Sequence, residues 1–230
     1  MKKSATKVSR IIARFGVCAA MIIVAAGFDM LINIFAPFEP KPAIFTILVA
    51  MVLCQIFRDN TKWDYITAVF CTTVWGIISL IAAPFSPVTF IFVYPWISLF
   101  PRILVGLGCY PVFRALSRLF KKSKNAFLKN ILPRSIGAAT GVIINTTLVL
   151  TMLGLTEWGM GGTGAGEAFV AIIMGIISFN FLIEFAVALI LTPLISYPVS
   201  KEYLRRQIKV SDAPIEQEIF GEAEQSEEKD

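Results

Sequence analysis

The chain of 230 residues contains no histidine. That removes the commonest metal ligand and the usual general base near neutral pH. Charge is also scarce, at 16% of residues, against about a quarter in an ordinary soluble domain. With 56% hydrophobic residues and a mean hydropathy of +0.72, too little polar surface remains to solvate a globular core. The composition therefore predicts an integral membrane protein. The four cysteines, Cys18, Cys54, Cys71 and Cys109, lie in apolar runs without CxxC spacing. They read as small packing residues, not as metal ligands or disulfides. There is no GxxxxGK[ST], so no P-loop for ATP, and no HExxH or Gly-x-Ser-x-Gly. No selectivity-filter run and no internal repeat is present, which leaves an inverted-repeat carrier without support. Enzyme chemistry has little to stand on, and neither a cofactor nor a metal is expected.

What is present is a series of apolar segments. A spanning helix needs about 20 mostly apolar residues. Six segments qualify or nearly do: Ile11–Phe35, Ala43–Phe57, Tyr65–Ala83, Ile97–Leu116, Ile136–Leu155 and Ala168–Val199. The first resembles a signal peptide in its basic start, but its apolar run is too long and no clean cleavage site follows, so it reads as a retained helix. The second is short for a span. The last carries Pro193 and Pro198, which predict a kink or a stop near its end.

Lys and Arg are distributed on one side. The N-terminal segment, the link between the second and third segments, the link between the fourth and fifth, and the C-terminal segment hold every basic residue except Lys41 and Arg102. The positive-inside rule then places both ends in the cytoplasm, with an even number of spans. The net charge of +5 follows from this bias and does not argue for nucleic-acid binding. The expected fold is an all-α bundle of six transmembrane helices over residues 1–200. A charged cytoplasmic tail over 201–230 has the composition of a disordered segment. The outer links are rich in proline (FAPFEPKPA), aromatics (AAPFSPVTFIFVYPW) and glycine (TEWGMGGTGAGEA).

Polar groups inside a bilayer are costly and are candidates for function. Arg102 sits in YPWISLFPRILVGL, near the outer end of the fourth helix, where an interfacial anchor would run against the charge bias. It either binds a ligand or pairs with Glu184 or Asp29. Gly106 and Gly108 after it predict close packing against a neighbour. In GAATGVIINTTLVLTMLG, Thr146 and Thr147 can bond their own helix. Asn145 either links helices or meets a ligand. In GIISFNFLIEFAVALILTP, Asn180 and Glu184 are four apart and share a face with Ser178 nearby, as walls of a cavity or as part of a structural Glu184–Arg102 link. Asp29 and Asn33 lie toward the outer end of the first helix. Phe90, Phe92, Tyr94, Trp96 and Trp158 form an interface belt or roof a pocket. Gly16 and Ala20 make a small-xxx-small pair, for packing within the chain or for another helix to approach.

Three of these stretches, taken in order, resemble a known family. YPWISLFPRILVGL is similar to the N-P-x-x-S-x-L-P-R-I-L-x-G signature in the fourth helix of substrate-binding S components of energy-coupling factor (ECF) transporters. GVIINTTLVLTMLGL resembles their fifth-helix T-N-T-x-x-V-L element, and SFNFLIEFAVALILTPLI their sixth-helix N-x-x-I-E-x-x-x-A-x-x-x-T-P. The match runs from about Tyr94 to Ile195, and the first three helices agree in layout. The resemblance implies a subunit that binds a vitamin-like solute near the outer face and docks on a membrane scaffold subunit carrying two cytoplasmic ATPases. It implies that Arg102, Asn145, Asn180 and Glu184 line or brace the site. Tyr94, Trp96 and Trp158 would cover it. The family's Ala-x-x-x-Ala docking motif has its nearest equivalent in Gly16 and Ala20. Tyr94 stands where the family has Asn. Among the family's vitamins, an arginine would suit the carboxylate of pantothenate, with riboflavin the other assignment of this branch. The competing reading is a membrane-embedded enzyme or assembly factor whose Arg, Asn and Glu form a structural network. A stand-alone channel lacks a recurring polar stripe.

Overall fold

The computed structural model describes residues 2–35, 43–58, 60–85, 90–159, 175 and 179–206. Six helices carry the architecture: α1 (Lys2–Phe35), α2 (Ile44–Ile56), α3 (Thr61–Ala82), α4 (Pro95–Leu119), α5 (Leu132–Gly159) and α6 (Phe179–Arg206). Short 3₁₀ turns at Ala83–Phe85, Phe90–Val93 and Phe120–Lys122 and a π turn at Phe127–Ile131 complete the described elements, none of which is a strand. Five of the helices are long and apolar enough to cross a membrane. The chain is thus an all-helical, multi-pass membrane bundle.

The sixth helix, α2, is different in kind. Its 13 residues span about 20 Å, short of the roughly 30 Å hydrocarbon core. Every residue from Ala50 to Ile56 is buried, so α2 is the central helix and the others wrap it. It packs against α1, α3, α4 and α5. Polar bonds tie it to α6 and α5: the Ser196 hydroxyl of α6 bonds Gln55 Oε1 at 3.4 Å, and Gln55 Nε2 donates to the Arg134 carbonyl of α5 at 3.0 Å.

Helix starts follow local chemistry. Asn60 caps α3, accepting from the Lys62 and Trp63 amides at 3.1 and 3.5 Å. Pro95 follows an extended Tyr94 and opens α4 at a position where its missing N–H has no partner to lose. The expected close packing after Arg102 is present. A Cβ on Gly106 would run into the Thr72 hydroxyl and sit 2.7 Å from Val69 Cα on α3. One on Gly108 would meet the Ile144 side chain on α5. These two glycines let α4 lie tightly between its neighbours.

The prolines of α6 do not stop it. The helix continues through Pro193 and Pro198 to Arg206, six residues past the boundary that the sequence suggests at 200. Away from water a freed carbonyl gains nothing by unwinding, so membrane helices tolerate interior proline. Pro101 and Pro111 lie within α4 in the same way. Residues 207–230 and the glycine-rich link after α5 lie outside the described residues.

Candidate functional site

Pro101 precedes Arg102 in α4. It has no N–H to give to the Ile97 carbonyl four residues earlier. Arg102 bends back toward the helix start, and its Nη1 donates to Ser98 O at 2.6 Å and more weakly to Ile97 O at 3.4 Å. The Ser98 hydroxyl in turn bonds the Gly76 carbonyl of α3 at 3.3 Å. The guanidinium lies 5.1 Å from the Trp75 ring and 5.2 Å from the Phe92 ring. Arg102 is only 6% exposed, so these ring contacts act where water does not compete. Its Nε is buried without a hydrogen-bond partner.

Arg102 makes no contact ion pair with Glu184 or Asp29. Glu184 acts on it through space only. Asp29 has a different task, at the start of α2. Asp29 Oδ1 accepts from the Phe45 amide at 2.9 Å, and Oδ2 accepts from the Thr46 amide at 2.8 Å and the Thr46 hydroxyl at 2.6 Å. Glu184 is buried on α6 with the Ala43 amide nearby. Ala43 has no cap of its own to offer. An acid from α1 therefore supplies acceptors to the first turn of α2, where the positive end of the helix favours it.

Asn145 on α5 is 8% exposed, and its Oδ1 has no partner. Asn180 Oδ1 on α6 is likewise buried and unpartnered. The family-like stretches thus hold orphaned polar atoms on Arg102, Asn145, Asn180 and Thr192, and α4 and α5 carry others on Tyr110, Arg114 and Arg134. Leaving such an atom unsatisfied costs about 1–3 kcal/mol. Ser178 and Asn33, two other polar candidates, fall on residues whose side chains are outside the described set.

The outer aromatics belong to helix ends. Trp96 is in the first turn of α4, 47% exposed, stacked on Tyr94 at 5.0 Å. Its Nε1 donates to Thr156 Oγ1 at 3.1 Å, which pins α4 to α5. Trp158 lies in the last turn of α5, its side chain outside the described residues. Gly16 and Ala20 are exposed on α1, and a Cβ on Gly16 would have nothing within 4 Å. Among the described residues nothing packs closely on Gly16. An open apolar groove of about 520 Å³ runs between α4 and α5, past Leu104, Gly108, Ile144 and Leu148, and excludes Arg102.

Sequence reasoning missed a buried ion pair. Arg14 Nη2 lies 2.6 Å from Asp64 Oδ1, joining α1 to α3, with the two side chains 9% and 1% exposed. Both residues sit at the margins of apolar segments, where they read as boundary charges. The cysteines are free and buried, as their apolar settings suggested. They are also paired in space: Cys18 lies against Cys71 and Cys54 against Cys109. Among the described residues no group of three or more His, Cys, Asp or Glu could hold a metal ion. No protein-family model matches the chain, and no curated protein matches it.

Proposed function

We propose that the protein is the substrate-binding membrane subunit of an ECF-type transporter in a prokaryotic plasma membrane. It captures a small water-soluble vitamin from outside, and partner subunits hydrolyse the ATP. The observation that carries this reading is that Arg102, Asn145 and Asn180, among the buried unpartnered groups of α4, α5 and α6, fall within the three family-like stretches. A ligand with complementary donors and acceptors would satisfy them. An arginine held by its own helix and by aromatic rings keeps part of its donor fork for such a ligand, and a carboxylate fits that fork best. Pantothenate is therefore the first candidate and riboflavin the second. The outward-facing Gly16 and Ala20 offer α1 as the surface for the scaffold subunit.

The opposing reading is a structural or assembly protein, or a membrane-embedded enzyme, with these residues as a polar network. The Asp29 cap on α2 favours it, because that acid is fully engaged within the chain. Native mass spectrometry of gently purified protein separates the two, followed by titration with pantothenate and riboflavin. The transport reading expects one tightly bound small molecule without turnover, and its loss in Arg102→Ala protein that still folds. Empty protein that ignores both vitamins, or wild-type affinity in a folded Arg102→Ala variant, defeats it.

A further inference from the structure

On the side that the charge bias assigns to the cytoplasm, three guanidinium groups collect around two aromatic rings. Arg134 is 1% exposed and stands 5.5 Å from the Phe113 ring. Arg58 stands 6.0 Å from the same ring. Arg114 stands 6.0 Å from the Tyr110 ring, whose centroid is 6.3 Å from that of Phe113. The three charges repel one another: Arg58 acts on Arg134, and Arg114 acts on Arg58. Burial and the facing Arg114 hold Arg58 below arginine's ordinary range.

No carboxylate among the described residues forms an ion pair with any of the three. The one carboxylate that acts on Arg58 is Asp64, and Asp64 is engaged at 2.6 Å by Arg14. The available bonds go to neutral acceptors. Arg134 donates to Asn130 O at 3.1 Å and to the Ser200 hydroxyl, and Arg114 donates to Thr61 Oγ1 at 2.6 Å. Arg134 Nε, Arg114 Nε and the Tyr110 hydroxyl remain buried without partners. Like charges drawn together out of water, with unsatisfied donors among them, are unfavourable unless an anion joins them.

We propose that Arg58, Arg114 and Arg134 form a binding site for a phosphate group, supplied by an anionic phospholipid of the cytoplasmic leaflet. A phosphate has several acceptor oxygens and can engage more than one guanidinium at once, which a single carboxylate does less well. Basic pockets between membrane helices on the cytoplasmic side are suited to such headgroups. The bilayer source is favoured by the neighbouring groove. Leu107, which lines it, is seven residues before Arg114 on the same stripe of α4, about 10 Å away. An acyl chain in the groove would bring its headgroup toward the arginines.

The test uses the full chain in nanodiscs of mixed phosphatidylglycerol and phosphatidylcholine, released into native mass spectrometry. Phosphatidylglycerol should be retained at least about tenfold over phosphatidylcholine. Arg134 is fully buried and its loss endangers the fold, so the variant is Arg58→Gln with Arg114→Gln, both half-buried. It should lose the preference, while Lys121→Gln with Lys124→Gln should keep it. In a second arm, inorganic phosphate is added to delipidated protein in detergent. Phosphate-dependent thermal stabilisation without lipid selection would support the site and assign it to soluble phosphate. Equal retention of the two lipids with no response to phosphate would overturn the proposal. So would retention unchanged by the arginine variant, or lost equally in the lysine control.

Discussion

The carboxylate of Asp29 caps helix α2 through Thr46, holding both its amide and its hydroxyl, at 2.8 and 2.6 Å. A helix of 13 residues cannot place both ends in the polar interface. Its first amides therefore need acceptors from the protein, since lipid offers none. Asp29 is a cap delivered from another helix, which makes it a structural residue and not a partner for Arg102.

Removing that cap should weaken the bundle. Asp29→Ala is expected to cost about 1–2 kcal/mol, the upper part of the range for losing a helix cap. Thr46→Val should cost less, because the Thr46 amide keeps its acceptor. A double-mutant cycle by thermal unfolding in detergent should return a coupling of about 0.5–3 kcal/mol. Additive effects would mean that the two residues do not act together.

Arg14 and Asp64 form the ion pair between α1 and α3. Breaking a buried pair by removing one partner costs about 3–5 kcal/mol, since the other charge stays buried. Arg14→Met or Asp64→Leu alone should therefore be severely destabilised. The double variant should recover most of the loss. A double variant as unstable as the sum of the singles would show that the pair is not what the single variants disturb.

Arg102 and Pro101 should also be coupled. Pro101→Ala restores the amide that Ile97 O lacks, so the longer Arg102 bond to Ile97 O matters less while the one to Ser98 O stays. Arg102→Met should destabilise the natural chain by about 1–3 kcal/mol and the Pro101→Ala chain by less. Unfolding of the four proteins of the cycle measures the difference, and equal losses in both backgrounds would remove the helix-repair role.

Two glycines should answer oppositely to alanine. At Gly106 the added Cβ would press on α3 backbone at Val69, which cannot swing aside, so Gly106→Ala should cost about 1–3 kcal/mol. At Gly16 the space is open, and alanine should be neutral or stabilising by up to about 1 kcal/mol through helix propensity. Thermal unfolding in detergent checks both. A stable Gly106→Ala protein would contradict the close approach of α3 and α4.

The sequence by itself determined that this is an all-helical membrane protein, and where most of its helices run. Hydropathy is a local property, and the need to satisfy backbone groups in lipid leaves few alternatives. It also singled out Arg102, Asn145, Asn180 and Glu184, because polar residues in apolar runs are visible without a fold. Of the kink or stop that Pro193 and Pro198 predict, the stop does not occur, because unwinding in lipid would leave more backbone groups unsatisfied. Only the tertiary structure decided which polar groups meet. Asp29 and Thr46 are 17 residues apart, Arg14 and Asp64 are 50 apart, and Arg134 and Ser200 are 66 apart. Such pairings depend on which face each helix turns inward and at what depth it crosses its neighbour. Packing of small residues such as Gly106 and Gly108 sets those quantities, and no single segment contains them.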